Sequence, residues 1–225
     1  MIQNLTKPGK LKIVVVDDHE LTLDGAFNAL QQQYPDAQIL RAKTAQSTIN
    51  QVTTLQPDLV IMDLSIPETA GEPAHIDTGI QALRTLIKKY TQLNLVVLSS
   101  YTKALVRIRH DLEAHEGGLT VANKDLSSKE MLKRVDWALQ GLVDWRVIRG
   151  EKAGLELKPE WLELLRLAFE EGLEDKAIAE RMRVAIRTVR HYWSKVQDVL
   201  KVYPEDGKNL RISTEMRARE LWLID

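Results

Sequence analysis

The sequence predicts an α/β protein: a five-stranded, doubly wound parallel sheet, followed by a second, smaller all-α domain of the helix-turn-helix kind. Three observations carry this. From residue 11 to about 141, short apolar β-branched runs alternate with stretches of helical period. After residue 157 no strand signal remains. Asp17 and Asp18 close one apolar run and Asp63 closes another. That is where an open α/β sheet places its chemistry.

The strand runs are Leu11–Val16, Gln38–Arg41, Leu59–Met62, Leu95–Leu98 and Leu119–Ala122. Their continuous apolar character suits strands covered on both faces. Between them lie helical stretches at Glu20–Gln33, Ala45–Leu55, Gly79–Tyr90, Lys103–Glu113 and Ser127–Gln140. Five βα units joined by right-handed crossovers give a parallel sheet with helices on both sides. Residues 143–156 hold Gly150 and Gly154 without clear period and read as a linker between domains 1–142 and 157–225. In the second domain the helices expected are Pro159–Glu170, Asp175–Met182, Ile186–Leu200 and Thr214–Leu223. Pro159 suits a first helical turn, and Gly172 and Gly207 suit helix ends and turns.

The chain has 225 residues, 44% apolar and 28% charged, with net charge −1 and no cysteine. The absence of cysteine excludes disulfides, zinc–thiolate sites and cysteine nucleophiles. Nothing at the N-terminus resembles a signal peptide, and no apolar stretch approaches the roughly 20 residues of a membrane span. A cytoplasmic protein that does not enter the membrane is the expectation.

Carboxylates gathered at one sheet edge repel one another and call for a counter-charge. A hard divalent cation such as Mg²⁺, held by a few carboxylates and waters, supplies it. Asp17-Asp18 alone could equally begin a turn, and Lys124-Asp125 alone could be a solvated pair. A dehalogenase-like phosphatase or a nucleotidyl-transfer site wants Asp-x-Asp, whereas this pair is adjacent.

Four segments in order now resemble a response-regulator receiver domain, a flavodoxin-like fold, over residues 10–141. They are Val15-Val16-Asp17-Asp18-His19, Pro57 to Leu64 with Pro67, Val96-Val97-Leu98-Ser99-Ser100, and Asn123-Lys124-Asp125. The resemblance implies that Asp63 accepts a phosphoryl group from a sensor histidine kinase. It implies Mg²⁺ on Asp17, Asp18, Asp63 and the backbone carbonyl of Ser65. Lys124 would pair with the phosphate and the Ser99 hydroxyl would move toward it.

Three departures bear on output. Val121 stands where the family usually has an aromatic ring, and Tyr101 follows the fourth strand rather than lying on the fifth. Pro67 to Gly79 spans 12 positions, longer than the family's usual spacing, so the stretch Glu68–Thr78 is expected to screen the site, dock a partner or be a plain surface insertion. A smaller expansion around His110–Gly118 is expected to lengthen the fourth helix or the loop after it.

The stretch Gly172–Arg190 resembles the helix-turn-helix of the LuxR/NarL type, through Gly172-Leu173, Lys176, Ile178-Ala179, Val184 and Thr188-Val189-Arg190. From Arg181 to Lys201 six basic residues face Asp198 alone, net +5, although residues 151–225 carry 14 basic and 15 acidic residues, net −1. Charge concentrated on one helix pair suits an element laid in a DNA groove. Val189, Trp193, Val196 and Leu200 form the apolar stripe of that helix. Thr188 and Arg190 match family positions that touch phosphate or bases, Lys176 lies in the preceding helix, and Arg187, His191 and Lys195 follow by geometry. Ala185 stands where the family caps the recognition helix with serine, at a cost of about 1 kcal/mol. The last helix, with Met216, Leu221, Trp222 and Leu223, would form a dimer seam or cover the core.

These readings together predict a homodimeric DNA-binding transcriptional response regulator, not an enzyme, controlled by phosphorylation of Asp63. The alternative is a receiver acting through protein–protein contact, with little phosphorylation or DNA reading. A Mg²⁺-dependent phosphatase acting on small substrates is a third.

Overall fold

In the computed structural model the described residues are 10–144 and 157–224. They belong to two units, Met1–Thr102 with Ile108–Val147, and Lys103–Arg107 with Ile148–Asp225.

The first unit is built on strands β1 (Lys12–Val16), β2 (Gln38–Ala42), β3 (Leu59–Met62), β4 (Asn94–Leu98), β5 (Leu119–Ala122) and β6 (Val143–Asp144). All pair in parallel, in the order β2-β1-β3-β4-β5-β6. Helices α1 (Glu20–Gln33), α2 (Ala45–Leu55), α3 (Ile76–Lys89), α4 (Arg109–Glu113) and α5 (Ser128–Leu139) connect them. Every side chain of β3 and β5 is buried. Ile13, Val15, Leu59, Ile61 and Val96 pack with Leu23 and Leu30 of α1 and with Met131 and Val135 of α5. The alternate residues Val14, Val16, Val60 and Met62 are equally buried, so both faces are covered, as strand alternation requires.

The sheet has six strands rather than five. Gly141, at φ +75°, turns the chain out of α5. Leu119 N then donates to Leu142 O at 3.0 Å, and Val143 and Asp144 pair with Leu119 and Thr120. Arg134 of α5 forms an ion pair with Asp144. These two residues were expected in the linker; their pairing depends on a turn that a two-residue strand cannot announce by periodicity. The rest of that linker lies outside the described residues.

The fourth helix is shortened, not lengthened. Residues Thr102–Ile108 form a 3₁₀ segment, and only Arg109–Glu113 is α-helical. Thr102, Leu105 and Ile108 are buried at three-residue spacing, which is the 3₁₀ period.

The long stretch after β3 is partly absorbed by structure. Helix α3 begins at Ile76, three residues before Gly79. Ile66 and His75 form an antiparallel bridge. Pro67 O and Glu68 O accept the first free amides of α2, from Ala45 at 2.9 Å and Gln46 at 3.1 Å. Gly79 lies against the backbone of Leu64, where a Cβ would fall 1.9 Å from Leu64 O. The stretch is therefore fastened at both ends, although Glu68–Pro73 and His75 remain exposed.

In the second unit α6 (Pro159–Phe169), α7 (Asp175–Met182), α8 (Ile186–Leu200) and α9 (Leu210–Glu220) surround a core of Trp161, Leu164, Leu165, Ile178, Val189, Trp193 and Val196. Trp193 organises it. Phe169 meets its ring edge-on at 5.5 Å, Arg211 lies 3.5 Å over its face, and its Nε1 donates to Asp175 at 3.0 Å. Arg211 also pairs with Asp175, so one buried indole ties α7, α8 and α9 together. The final helix starts at Leu210, capped by Asn209, four residues before the expected Thr214.

His115, at the amino-terminal edge of the sheet, is a buried titrating group. Its Nε2 donates to Leu93 O at 2.8 Å, and its buried Nδ1 has no hydrogen-bond partner. A second proton would sit on Nδ1 with nothing to receive it. Burial lowers the imidazole pKa, against the Leu93 bond and the Glu116 charge, which raise it. With the folded pKa below its ordinary value of 6.5, the native state binds fewer protons than the unfolded chain. The contribution of His115 is thus complete above that value and is lost as the pH falls below it. Urea unfolding midpoints taken at neutral and mildly acidic pH should fall more for the wild type than for His115→Gln. Equal falls would show that His115 does not titrate with folding.

Candidate functional site

Parallel pairing brings the acidic residues to one edge. Asp63 N donates to Val16 O at 3.0 Å, Asp17 N to Ala42 O at 3.1 Å, and Ser99 N to Ala122 O at 3.2 Å. Each backbone amide thus extends the sheet by one step, and each side chain emerges where the ladder stops. Asp17 and Asp63 are each 4% exposed and Ser99 is fully buried.

Lys124, two residues past β5, joins the carboxylates. Its Nζ lies 2.7 Å from Asp17 Oδ2 and 2.7 Å from Asp63 Oδ2. Burial disfavours its charge, but the hydrogen bonds and charges of Asp17 and Asp63 outweigh that and raise its pKa above the ordinary lysine value. Asp63 Oδ1 accepts from Leu64 N at 2.7 Å. Asp17 Oδ1 accepts from His19 N at 2.9 Å.

Asp18 stands apart. Its Oδ1 is buried and accepts no hydrogen bond. His19 Nδ1 is 2.7 Å away but outside hydrogen-bonding geometry. Asp17, Asp18 and His19 can each offer one donor atom within 4.8 Å of the others. An orphaned carboxylate oxygen beside two further donors fits a divalent cation. The sequence pattern assigns His19 no role, and its adjacency to the Asp pair is the one signal available there.

Ser99 is held from the other side, its Oγ accepting from Tyr101 N at 3.2 Å. Val121 is fully buried on β5, so no ring is present there to turn inward. Ser65 follows Leu64 in the bend after β3 and is half-buried.

On the second unit, the apolar stripe of α8 is buried while Arg187, Arg190, His191 and Lys195 are exposed and Thr188 is half-buried. Lys176 is exposed on α7. Among the described residues no acidic side chain pairs with Arg187, Arg190 or Lys195, whereas Arg181 pairs with Glu171 at 3.5 Å. Ala185 begins α8 without a side-chain cap, as expected.

No helix among the described residues is long and apolar enough to cross a membrane. The response regulator receiver domain matches residues 13–136. The DNA-binding transcriptional activator DevR/DosR of Mycobacterium tuberculosis is 26% identical over 200 residues, covering 83% of this chain and 86% of that protein. The transcriptional regulatory protein LnrK of Bacillus subtilis is 24% identical over 214 residues, covering 85% of this chain and 91% of that protein. A likeness of fold extends to RcsB of Salmonella enterica serovar Typhimurium, solved bound to the promoter rprA in the presence of the phosphomimetic BeF₃⁻. It has TM-score 0.54 and 20% identity, and covers 93% of this chain and 99% of that one.

The Lys124 contacts carry a direct test. Removing the ammonium leaves two nearly buried carboxylates facing each other, and breaking such a pair costs about 3–5 kcal/mol. Lys124→Met should lower unfolding stability by that order in cation-free buffer. A loss below about 1 kcal/mol would mean that solvent already screens the site.

Proposed function

The chain belongs to the response regulator receiver family, and from that premise we propose that it is a phosphorylation-controlled, DNA-binding transcription regulator working in the cytoplasm. The single observation that carries the phosphoryl chemistry is the placement of Asp63, Asp17 and Lys124 in direct contact at one sheet edge. We take the receiver domain to run through Asp144, because β6 belongs to its sheet, and residues 157–225 to be the output domain.

In this reading a carboxylate oxygen of Asp63 attacks the phosphorus of a phosphohistidine on the partner kinase. The P–O bond forms as the P–N bond breaks, and the imidazole leaves. Lys124, which now neutralises Asp63 Oδ2, is placed to follow the charge onto the phosphoryl oxygens. Asp17, Asp18, Asp63 and the Ser65 carbonyl would hold Mg²⁺, which when bound neutralises charge on the phosphoryl oxygens. Ser99, whose oxygen accepts from Tyr101 N, would donate its hydroxyl proton to a phosphoryl oxygen. Loading the site shifts the receiver between two states and, through them, its dimerisation.

The output rests on α8. Arg187, Arg190, His191 and Lys195 lie exposed on that helix, with Thr188 beside them and Lys176 on α7. A dimer presents two such helices to half-sites about one helical turn apart. The relative described as a DNA-binding activator is matched along most of its length, which supports the same output here.

Val121 and the uncapped Ala185 favour one second reading: a receiver whose output is protein contact. The two readings separate on salt dependence. A DNA reader loses duplex affinity steeply as salt rises, and Arg187→Ala or Arg190→Ala should each reduce the slope of log K against log salt by about 1. A flat salt response, unchanged in both variants, would favour the second reading.

For the receiver, acetyl phosphate treatment followed by intact mass measurement should add one phosphoryl group to the wild type and none to Asp63→Asn. Equal labelling of both proteins would move the acceptor elsewhere.

A further inference from the structure

The most basic helix of the second unit leads with an apolar side chain. We propose that Ile186 packs against the C5-methyl group of a thymine in the major groove, and so selects a T·A pair next to the contacts made by Arg190. The inference rests on the DNA-binding reading given above.

Three observations carry it. Ile186 opens α8 and is 42% exposed. Every other exposed side chain of that helix is polar: Arg187, Arg190, His191, Ser194, Lys195 and Asp198. The half-buried apolar side chains around it, Val184, Tyr192 and Val199, pack against the core of the unit, whereas Ile186 lies outside that core. A lone exposed isoleucine is ordinary on a protein surface; the setting of this one is not. Ile186 and Arg190 are one turn apart and share a face of the helix. Arg187 and Arg190 meet no acidic side chain among the described residues, and the first turn of α8 holds no acidic residue. The leading end of the helix thus presents a branched aliphatic tip flanked by uncompensated positive charge. A phosphate-lined groove is drawn to that charge and covers the tip.

The N-terminal residues of a recognition helix are the ones that reach base edges. Among the groups that distinguish base pairs in the major groove, the thymine methyl is the apolar one. A carbonyl or amino group facing Ile186 loses water without gaining a hydrogen bond, which disfavours the other pairs. Ile186 is thereby a specificity-determining residue, distinct from the arginines that position the helix.

The test uses the full-length chain, with and without acetyl phosphate treatment, and a pool of random duplexes. Repeated binding and amplification yield the preferred site. Each thymine of that site is then replaced by deoxyuridine, which removes the methyl group and keeps every hydrogen-bonding group. At one thymine of each half-site the wild type should lose about fourfold in affinity, the effect of one buried methyl. Ile186→Ala, a change to a better helix former at an exposed position, should bind the thymine and deoxyuridine duplexes equally. Ile186→Val should keep the difference. A selected site without thymine, tolerance of deoxyuridine at every position, or an undiminished loss in Ile186→Ala would overturn the proposal and leave the DNA-binding reading standing. If no sequence is enriched although affinity falls with salt, the proposal fails and non-specific DNA binding remains. If nothing is enriched and affinity is flat with salt, the DNA-binding reading and the proposal fall together.

Discussion

Two buried carboxylates from different strands share one ammonium, and the rest of the receiver is arranged around that constraint. Asp17 and Asp63 are each 4% exposed, so neither can rely on water to disperse its charge. Lys124 reaches both at 2.7 Å from the end of a third strand. The contact requires the carboxyl ends of β1, β3 and β5 to converge, and so requires the parallel order of the sheet. It also makes the site responsive. One cation cannot fully offset two carboxylates and a neighbouring Asp18, so the edge retains negative charge that a divalent ion or a phosphoryl transfer can redistribute.

The elements around the edge are placed by backbone contacts more than by side chains. Gly79 lets α3 lie against Leu64, directly after Asp63. Pro67 O and Glu68 O close the start of α2. The stretch after β3 is thereby fastened to the start of α2 and, through His75, to Ile66 beside Asp63. On the other side, Ser99 is tied to the backbone of Tyr101, which leads straight into the 3₁₀ segment.

The helical unit solves a different electrostatic problem. Its net charge is slightly negative, yet α8 presents basic side chains among which Arg187, Arg190 and Lys195 meet no acidic partner in the described residues. Several acidic residues are paired with other cations, as in the Glu163 and Glu171 pairs with Arg166 and the Asp175 pair with Arg211. The surplus of exposed basic side chains on α8 leaves a positive helix on a domain of near-zero net charge.

Local pattern alone determined most of the architecture. The bounds of α1, α2, α7 and α8 and of β3 and β5 coincide with the sequence reading, because each carries a full period of apolar residues bounded by polar ones. The buried stripe of α8 and the strand-end position of each acidic residue were legible for the same reason. What only tertiary structure decided were features without a local period. The sixth strand depends on Gly141 turning back onto β5, the 3₁₀ segment on where Leu105 and Ile108 find burial, and the early start of α3 on its packing against Leu64. The meeting of His19 with Asp18 belongs here too. Sequence puts the two residues side by side, but only the turn at the end of β1 aims both side chains at the same point.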